Sequence, residues 1–202
     1  MNMHPYTLTL LRHGEIDHGG TLVGRRDLPL TDTGLLQMQE SWQQLTRIAP
    51  VTAMATSPLA RCRTFSVAQA VTAAVPLVVE ERFAELDFGP WDGRPLSKLA
   101  EEAPDWSRRL AEGTLTVSGA ETVEAFRTRV LAGFTAWMCS ARGSHRVLVT
   151  HGGVIGVLLA ELLDLSLESA RLINVPRGGY AQLSILSGHP AYLTRLEGPC
   201  AA

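Results

Sequence analysis

The chain has 202 residues, 18 basic and 20 acidic side chains, a formal net charge of -2, and 46% apolar residues. A domain of that length buries roughly 70% of its unfolded surface, so it needs neither disulfides nor a structural metal to hold together. The balanced charge excludes a general nucleic-acid or membrane-surface binder, which would show a strong basic excess.

Cys62, Cys139 and Cys200 are odd in number and form no CxxC pair, so neither a disulfide framework nor a zinc-ligand pattern is present. A reduced, cytoplasmic compartment is expected. The N-terminus has no basic region, and its apolar run Tyr6–Leu11 is too short for a secretory leader. Glu161 interrupts the longest apolar candidate for a membrane span. The tail Cys200-Ala201-Ala202 is one residue short of a prenylation box.

In chain order, Tyr6–Leu11 predicts a first strand. Thr31 to Gly34 supply cap residues for a helix over Leu35–Ile48 that ends before Pro50. Ala53–Thr56 predicts a short strand, Leu59–Ala73 a helix opened by Ser57-Pro58, and Leu77–Phe83 a third strand. Pro90–Gly119 is the least regular stretch and suits a lid or substrate wall. Thr122–Arg142 carries Val123, Phe126, Val130, Phe134 and Trp137 at helical spacing. Arg146–Thr150 then reads as a buried strand, Val154–Leu163 as a helix, and Tyr180–Leu186 with Ala191–Leu196 as a closing hairpin. Short apolar runs alternating with helices predict an α/β fold, and the lack of any linker or repeat predicts one domain over 1–202.

Four of the expected strand ends carry chemistry, and ligands bind at the carboxyl ends of strands in such sheets. The first holds Leu11-Arg12-His13-Gly14-Glu15. The second holds Ser57-Pro58-Leu59-Ala60-Arg61-Cys62-Arg63. The third holds Glu85-Leu86-Asp87-Phe88-Gly89-Pro90-Trp91-Asp92-Gly93. The fourth holds Thr150-His151-Gly152-Gly153 and opens a helix, whose free N–H groups and positive end suit an anion. Arginine's planar fork binds phosphate oxygens in pairs. A neutral imidazole is a competent nucleophile near pH 7, and nearby cations disfavour its protonation. A carboxylic acid can protonate a leaving alcohol and later deprotonate water. Together the set suits phosphoryl transfer through a phosphohistidine. Glu80, Glu81, Asp87 and Asp92 compete with Glu85 for the acid's place.

These four segments, in this order, resemble the histidine phosphatase superfamily, which includes the cofactor-dependent phosphoglycerate mutases. The resemblance runs from about residue 6 to the final hairpin. It implies a three-layer α/β/α sandwich around a mostly parallel sheet. It implies His13 as the phosphorylated nucleophile, Arg12 and Arg61 as holders of the phosphoryl oxygens with Gly152 beside them, and His151 as a stabiliser of transition-state charge. Glu85 becomes the proton donor and then the base. No metal or organic cofactor is implied, and the partner is a small phosphate ester. Leu10–Glu15, Gly19-Gly20, Gly24 and Leu30–Gly34 look most like bacterial α-ribazole-5'-phosphate phosphatases of cobalamin synthesis. In that setting His18, Gly24 and Arg25 are candidate substrate contacts. Two departures speak against a mutase. Gly19 stands where the mutases carry Asn, and the stretch Arg94–Thr122 is shorter than their mid-chain insertion, which opens the intermediate to water.

Other chemistries lack their residues. The only lysine, Lys98, follows Ser97, so no P-loop exists, and neither a GxSxG elbow nor an HExxH is present. A metal site of His13, His151 and Glu85 would sit among guanidinium groups that repel a divalent ion. A sugar-phosphate, nucleotide or phosphohistidine-protein phosphatase and a non-catalytic phospho-ligand module are the rival readings. His4, His18, His145 and His189 read as exposed, Arg63 and Arg26 as surface charge, and Phe88 and Trp91 as packing residues.

Overall fold

The protein is described by a computed structural model covering residues 5–199. Its strands are β1 (Tyr6–Arg12), β2 (Ala53–Thr56), β3 (Leu77–Val79), β4 (His145–Thr150), β5 (Tyr180–Ile185) and β6 (Tyr192–Glu197). They form one sheet in the order β3-β2-β4-β1-β5-β6. Pairings β1–β4, β2–β4 and β2–β3 are parallel, whereas β5 and β6 add to the β1 edge as an antiparallel hairpin.

Side chains alternate between the faces of a strand, and the sequence uses both faces. Leu8 and Leu10 of β1, Ala53 and Ala55 of β2 and Leu148 of β4 join one apolar layer. Against it pack α5 (Val123–Ser140) and α6 (Gly152–Leu162). Leu11, Met54, Val147 and Val149 point the other way, onto α1 (Asp32–Ile48) and α2 (Ala60–Ala73). Two helical layers thus sandwich the sheet, and the buried central strands are apolar on both faces as parallel strands require.

Register decides which residues meet. Arg12 pairs with Thr150 across β1 and β4, and Thr56 pairs with Val149 across β2 and β4. The chain therefore leaves three neighbouring strands at one level, at His13, Ser57 and His151.

The first helix starts earlier than its apolar pattern suggests. Thr31 accepts the Gly34 N–H at 3.0 Å and caps it, which brings Asp32 into the first turn. Its opening turn lies directly on the loop after His13. A Cβ on Gly14 would collide with the Gly34 backbone, and a Cβ on Gly34 with that of Glu15. Two glycines let backbone meet backbone there.

Several expected boundaries change. The third strand stops at Val79 rather than Phe83, because the Glu80 carboxylate accepts the Arg82 N–H at 3.0 Å and turns Glu81–Phe83 into a 3-10 turn. The sixth helix begins at Gly152, two residues before its first apolar side chain. The stretch Pro90–Gly119 contains regular structure: α3 (Leu96–Glu102) and α4 (Trp106–Ala111), with Leu99 buried in the core. A further short helix, α7 (Leu167–Ala170), follows α6.

His145, expected at the surface, is 1% exposed. Its Nδ1 lies 3.1 Å from the Ala49 carbonyl and its Nε2 2.9 Å from Thr9 Oγ1, which also accepts from Gln182. That satisfied polar chain offsets the cost of burial. His189 is exposed and His18 half-buried, while His4 and Cys200 fall outside the described residues. Arg63 and Arg26 are exposed, and Phe88 packs in the core with Trp91 against it. Among the described residues no helix is long and apolar enough to cross a membrane.

Replacing Gly34 by Ala is expected to destabilise the fold by about 1–3 kcal/mol, the usual cost of forcing atoms into a filled space. Urea denaturation measures it. A stability equal to that of the unaltered chain would show that the helix and the His13 loop do not depend on this contact.

Candidate active site

Arg12 and His13 sit where β1 ends. The strand end is fixed by its neighbours: Gly179 O accepts the Arg12 N–H, Thr150 O accepts the His13 N–H, and His13 O accepts the Gly178 N–H, all within 3.0 Å. The His13 ring lies with Nδ1 2.8 Å from Gly14 O. A carbonyl only accepts, so Nδ1 carries the hydrogen and Nε2 is the lone-pair nitrogen. His13 is 7% exposed. Burial, together with Arg61, Arg12 and Arg177, pushes its pKa down to about 3. The imidazole is neutral throughout the physiological range.

Arg61 enters on the first turn of α2, whose amino end is capped by Asp27 accepting the Ala60 N–H at 2.6 Å. The guanidinium is 1% exposed. Its Nη1 and Nη2 donate to Arg26 O and Gly24 O at 2.7 Å, and its Nε donates to His151 Nδ1 at 3.2 Å. Arginine has no acceptor, so the His151 hydrogen is on Nε2, which donates to Ser57 Oγ at 2.6 Å. His151 is fully buried, and burial plus Arg61 hold its pKa well below the usual histidine value. Its ring centre stands 5.2 Å from that of His13.

The carbonyls that receive Arg61 belong to the loop 24–26, and Asp92 shapes that loop. Its carboxylate accepts the N–H groups of Gly24, Arg25 and Arg26 at 2.7–3.1 Å. Gly24 thus supports Arg61 from beneath and does not line the cleft, and neither does Arg25. Two other rivals of Glu85 are also committed elsewhere. Glu80 pairs with Arg82, and Asp87 accepts the Gly89 N–H at 2.8 Å. Glu85 itself accepts from Leu86 N–H at 2.9 Å and from Gly153 N–H at 3.0 Å. A Cβ on Gly153 would strike the Glu85 carboxylate, so this close approach requires glycine.

These groups meet in a cleft of about 180 Å³ lined by Arg12, His13, Arg61, Glu85, Arg177 and the half-buried His18, with Gly152 on its wall. His151 lies behind Arg61 and outside that lining. Arg12 donates through Nη1 to Val175 O at 2.8 Å, and its buried Nε has no partner among the described residues. Neither Arg12, Arg61 nor Arg177 is in an ion pair among the described residues. Three guanidiniums converge on one concavity with Glu85 as the one carboxylate in its lining, so the cleft has the charge and the donors for an oxyanion.

Two residues that sequence reasoning missed complete the arrangement. Arg177 stands before Gly178-Gly179, which bind the main chain of Arg12 and His13. The readable signal was an Arg beside paired glycines at a strand start, a mirror of His151-Gly152-Gly153. Arg129 on α5 holds the Glu85 loop by donating to the carbonyls of Arg82, Ala84 and Glu85 at 2.7–2.9 Å, while Glu121 at 2.6 Å neutralises it. In the sequence it looked like the solvated side of an apolar helix.

Comparison with known proteins agrees with this architecture. The model of the histidine phosphatase superfamily (branch 1) matches residues 8–196. The "Bifunctional protein Rv2228c" of Mycobacterium tuberculosis is 31% identical over 79% of this chain and 45% of its own length. This chain therefore spans about half the length of that relative. "Probable phosphoglycerate mutase GpmB" of Salmonella choleraesuis is 28% identical over 82% of this chain and 79% of its own. The α-ribazole phosphatase structure from Shigella flexneri superposes with a TM-score of 0.81 at 24% identity, covering 97% of this chain and 98% of that one. A mycobacterial glucosyl-3-phosphoglycerate phosphatase, Rv2419c, with VO3 gives 0.80 at 25% identity over 98% and 100%. The chain belongs to the histidine phosphatase superfamily, a group whose neighbours here are phosphatases and mutases.

The buried neutral imidazoles link pH to stability. In the unfolded chain each titrates near 6.5, whereas folded His13 and His151 resist protonation. Below about pH 6.5 the unfolded state takes up protons that the folded state refuses, so stability falls, by up to about 1.4 kcal/mol per pH unit for each group. For His13 this continues until its folded value near 3 is reached. Urea midpoints measured from pH 7 to pH 5 should decline, and His13→Gln should flatten the decline. An unaltered slope in that variant would contradict the assignment.

Proposed function

We propose that the protein is a metal-independent phosphomonoesterase acting through phospho-His13. The observation that carries this reading is the neutral His13 with its Nε2 lone pair in a cleft with Glu85 and three arginines, none of them in an ion pair among the described residues. His13 Nε2 attacks phosphorus, and the ester P–O bond breaks. Glu85 in its acid form protonates the departing alkoxide. Water then attacks phosphorus while the Glu85 carboxylate takes its proton, and the P–N bond breaks, releasing phosphate and restoring neutral His13. Arg12 has four N–H hydrogens not given to protein acceptors and Arg61 has two, enough to hold the equatorial oxygens. His151, held neutral behind Arg61, accepts the Arg61 Nε–H and so orients that guanidinium and stabilises charge through it rather than acting as a second nucleophile.

Hydrolysis is favoured over mutase chemistry by the same departures seen in the sequence. Gly19, with φ +56, forms an exposed turn and offers no side chain to the cleft, and α3 and α4 are short. For the alcohol half, α-ribazole 5'-phosphate is the reading supported by the Leu10–Glu15 and Leu30–Gly34 segments and by the fold match to the Shigella flexneri enzyme. Sugar phosphates, nucleotides and phosphohistidine proteins are the alternatives for a substrate panel, and α-ribazole 5'-phosphate among the poor substrates would remove that reading. We place the protein in the cytoplasm on its cysteine usage.

Replacement of His13 by Ala should abolish release of inorganic phosphate from an aryl phosphate. The unaltered protein, quenched in turnover with labelled ester, should carry an acid-labile, alkali-stable label. Turnover by His13→Ala, or an acid-stable label, would overturn the mechanism.

Glu85→Gln should slow esters of poorly acidic alcohols by about 10²–10⁴-fold, the usual contribution of general acid catalysis, and aryl esters with acidic phenols far less. Equal slowing of both would assign Glu85 a role in binding instead.

A further inference from the structure

Beside the phosphate cleft lies a larger chamber of about 310 Å³, within the range of small-molecule sites. Arg12, Glu85 and Gly152 line both, so the chamber opens on the residue that would protonate a leaving oxygen. Its other walls include Leu110 of α4, Phe126 of α5, Ile155 and Gly156 of α6 and Ile173 after α7, all apolar or lacking a side chain. Two polar groups interrupt them, Arg171 and Asn174. Arg171 is half-buried, and burial lowers its pKa while Glu85 opposes that shift. It has neither an ion pair nor a side-chain hydrogen bond among the described residues. A half-buried guanidinium on a largely apolar wall, with Glu85 the one carboxylate in the lining, has donors free to bind an anion.

Resting on the phosphomonoesterase reading, we infer that the alcohol half of the substrate sits in this chamber. It is a compact apolar body of one or two rings bearing one anionic group, which Arg171 binds. The chamber is at the small end of ligand pockets, too small for a peptide or a dinucleotide. Because the anion is carried by the alcohol, it contributes to both the bound ester and the free product. An uncharged alcohol half, as in α-ribazole, would leave Arg171 unpaired, so that reading predicts no preference for a carboxylated alcohol. Gly156 makes the room: a Cβ there would meet only Arg171 Cγ, at 4.0 Å, whereas larger side chains enter the chamber.

The test uses two matched pairs, the phosphate esters of 6-hydroxy-2-naphthoate and 2-naphthol, and the two free alcohols followed by fluorescence titration. The carboxylated member of each pair should be favoured by about tenfold or more, in kcat/KM for the esters and in Kd for the alcohols, as a charge-assisted hydrogen bond provides. Arg171→Met should reduce both preferences to about one, and Arg171→Lys should restore part of them. The exposed Arg63→Met should leave them intact. Gly156→Val should weaken both alcohols alike. A tenfold binding preference that depends on Arg171, without hydrolysis of either ester, would uphold the chamber and overturn the phosphomonoesterase reading. Hydrolysis without any carboxylate preference, or a preference surviving in Arg171→Met, would overturn the chamber's assignment and leave the hydrolytic reading standing.

Discussion

A guanidinium taken out of water without a carboxylate is the constraint around which this molecule is arranged. Arg61 is almost wholly buried, and the acceptors in its reach are two main-chain carbonyls and one neutral imidazole. Carbonyl dipoles and imidazole nitrogen satisfy its hydrogen bonds without cancelling its charge. No carboxylate pairs with it among the described residues, so its positive potential is left to the cleft it lines. The position is also unfavourable for the helix, because a cation on the first turn opposes the dipole. Asp27 at the amino end of α2 offsets part of that conflict.

Much of the surrounding structure serves that residue and its neighbours. Asp92 gathers three successive N–H groups and thereby turns the carbonyls of Gly24 and Arg26 toward Arg61. Arg61 then fixes the tautomer of His151, and Ser57 completes it. Arg129 does the corresponding work on the acid side by holding the main chain on both sides of Ala84 in place. Glycines at 14, 34 and 153 permit approaches that any Cβ would block. The site is consequently held by backbone more than by side-chain packing, which favours preorganised donors over ones that must reorganise during the reaction.

The legible parts of the sequence were those with a period or an order. The central strands announced themselves because both faces are apolar, and α1 and α5 because their apolar stripes recur at helical spacing. Boundaries failed where a single side chain intervened: Glu80 ended β3 early and Thr31 started α1 early. His145 misled because a polar residue at a strand start usually faces water, whereas Thr9 and Ala49 met it from distant positions. Arg12, His13, Arg61, Glu85 and Gly152 do share one cleft, while Gly24 and Arg25 lie behind it as supports.

By itself the sequence determined the class of fold, the family and the four segments at which chemistry would gather, because strand periodicity and motif order are local properties of the chain. It could not separate Glu85 from Asp87 and Asp92, since all three are acids within one loop. The separation depends on place: Asp92 holds loop 24–26 and Asp87 accepts from Gly89 away from the cleft, whereas Glu85, which also accepts two main-chain N–H groups, lines it. Nor could a balanced net charge of -2 reveal three arginines converging with no ion pair among the described residues. Charge composition is a sum over the chain, whereas the potential at a site depends on distances that exist only once β1, β2 and β4 are in register.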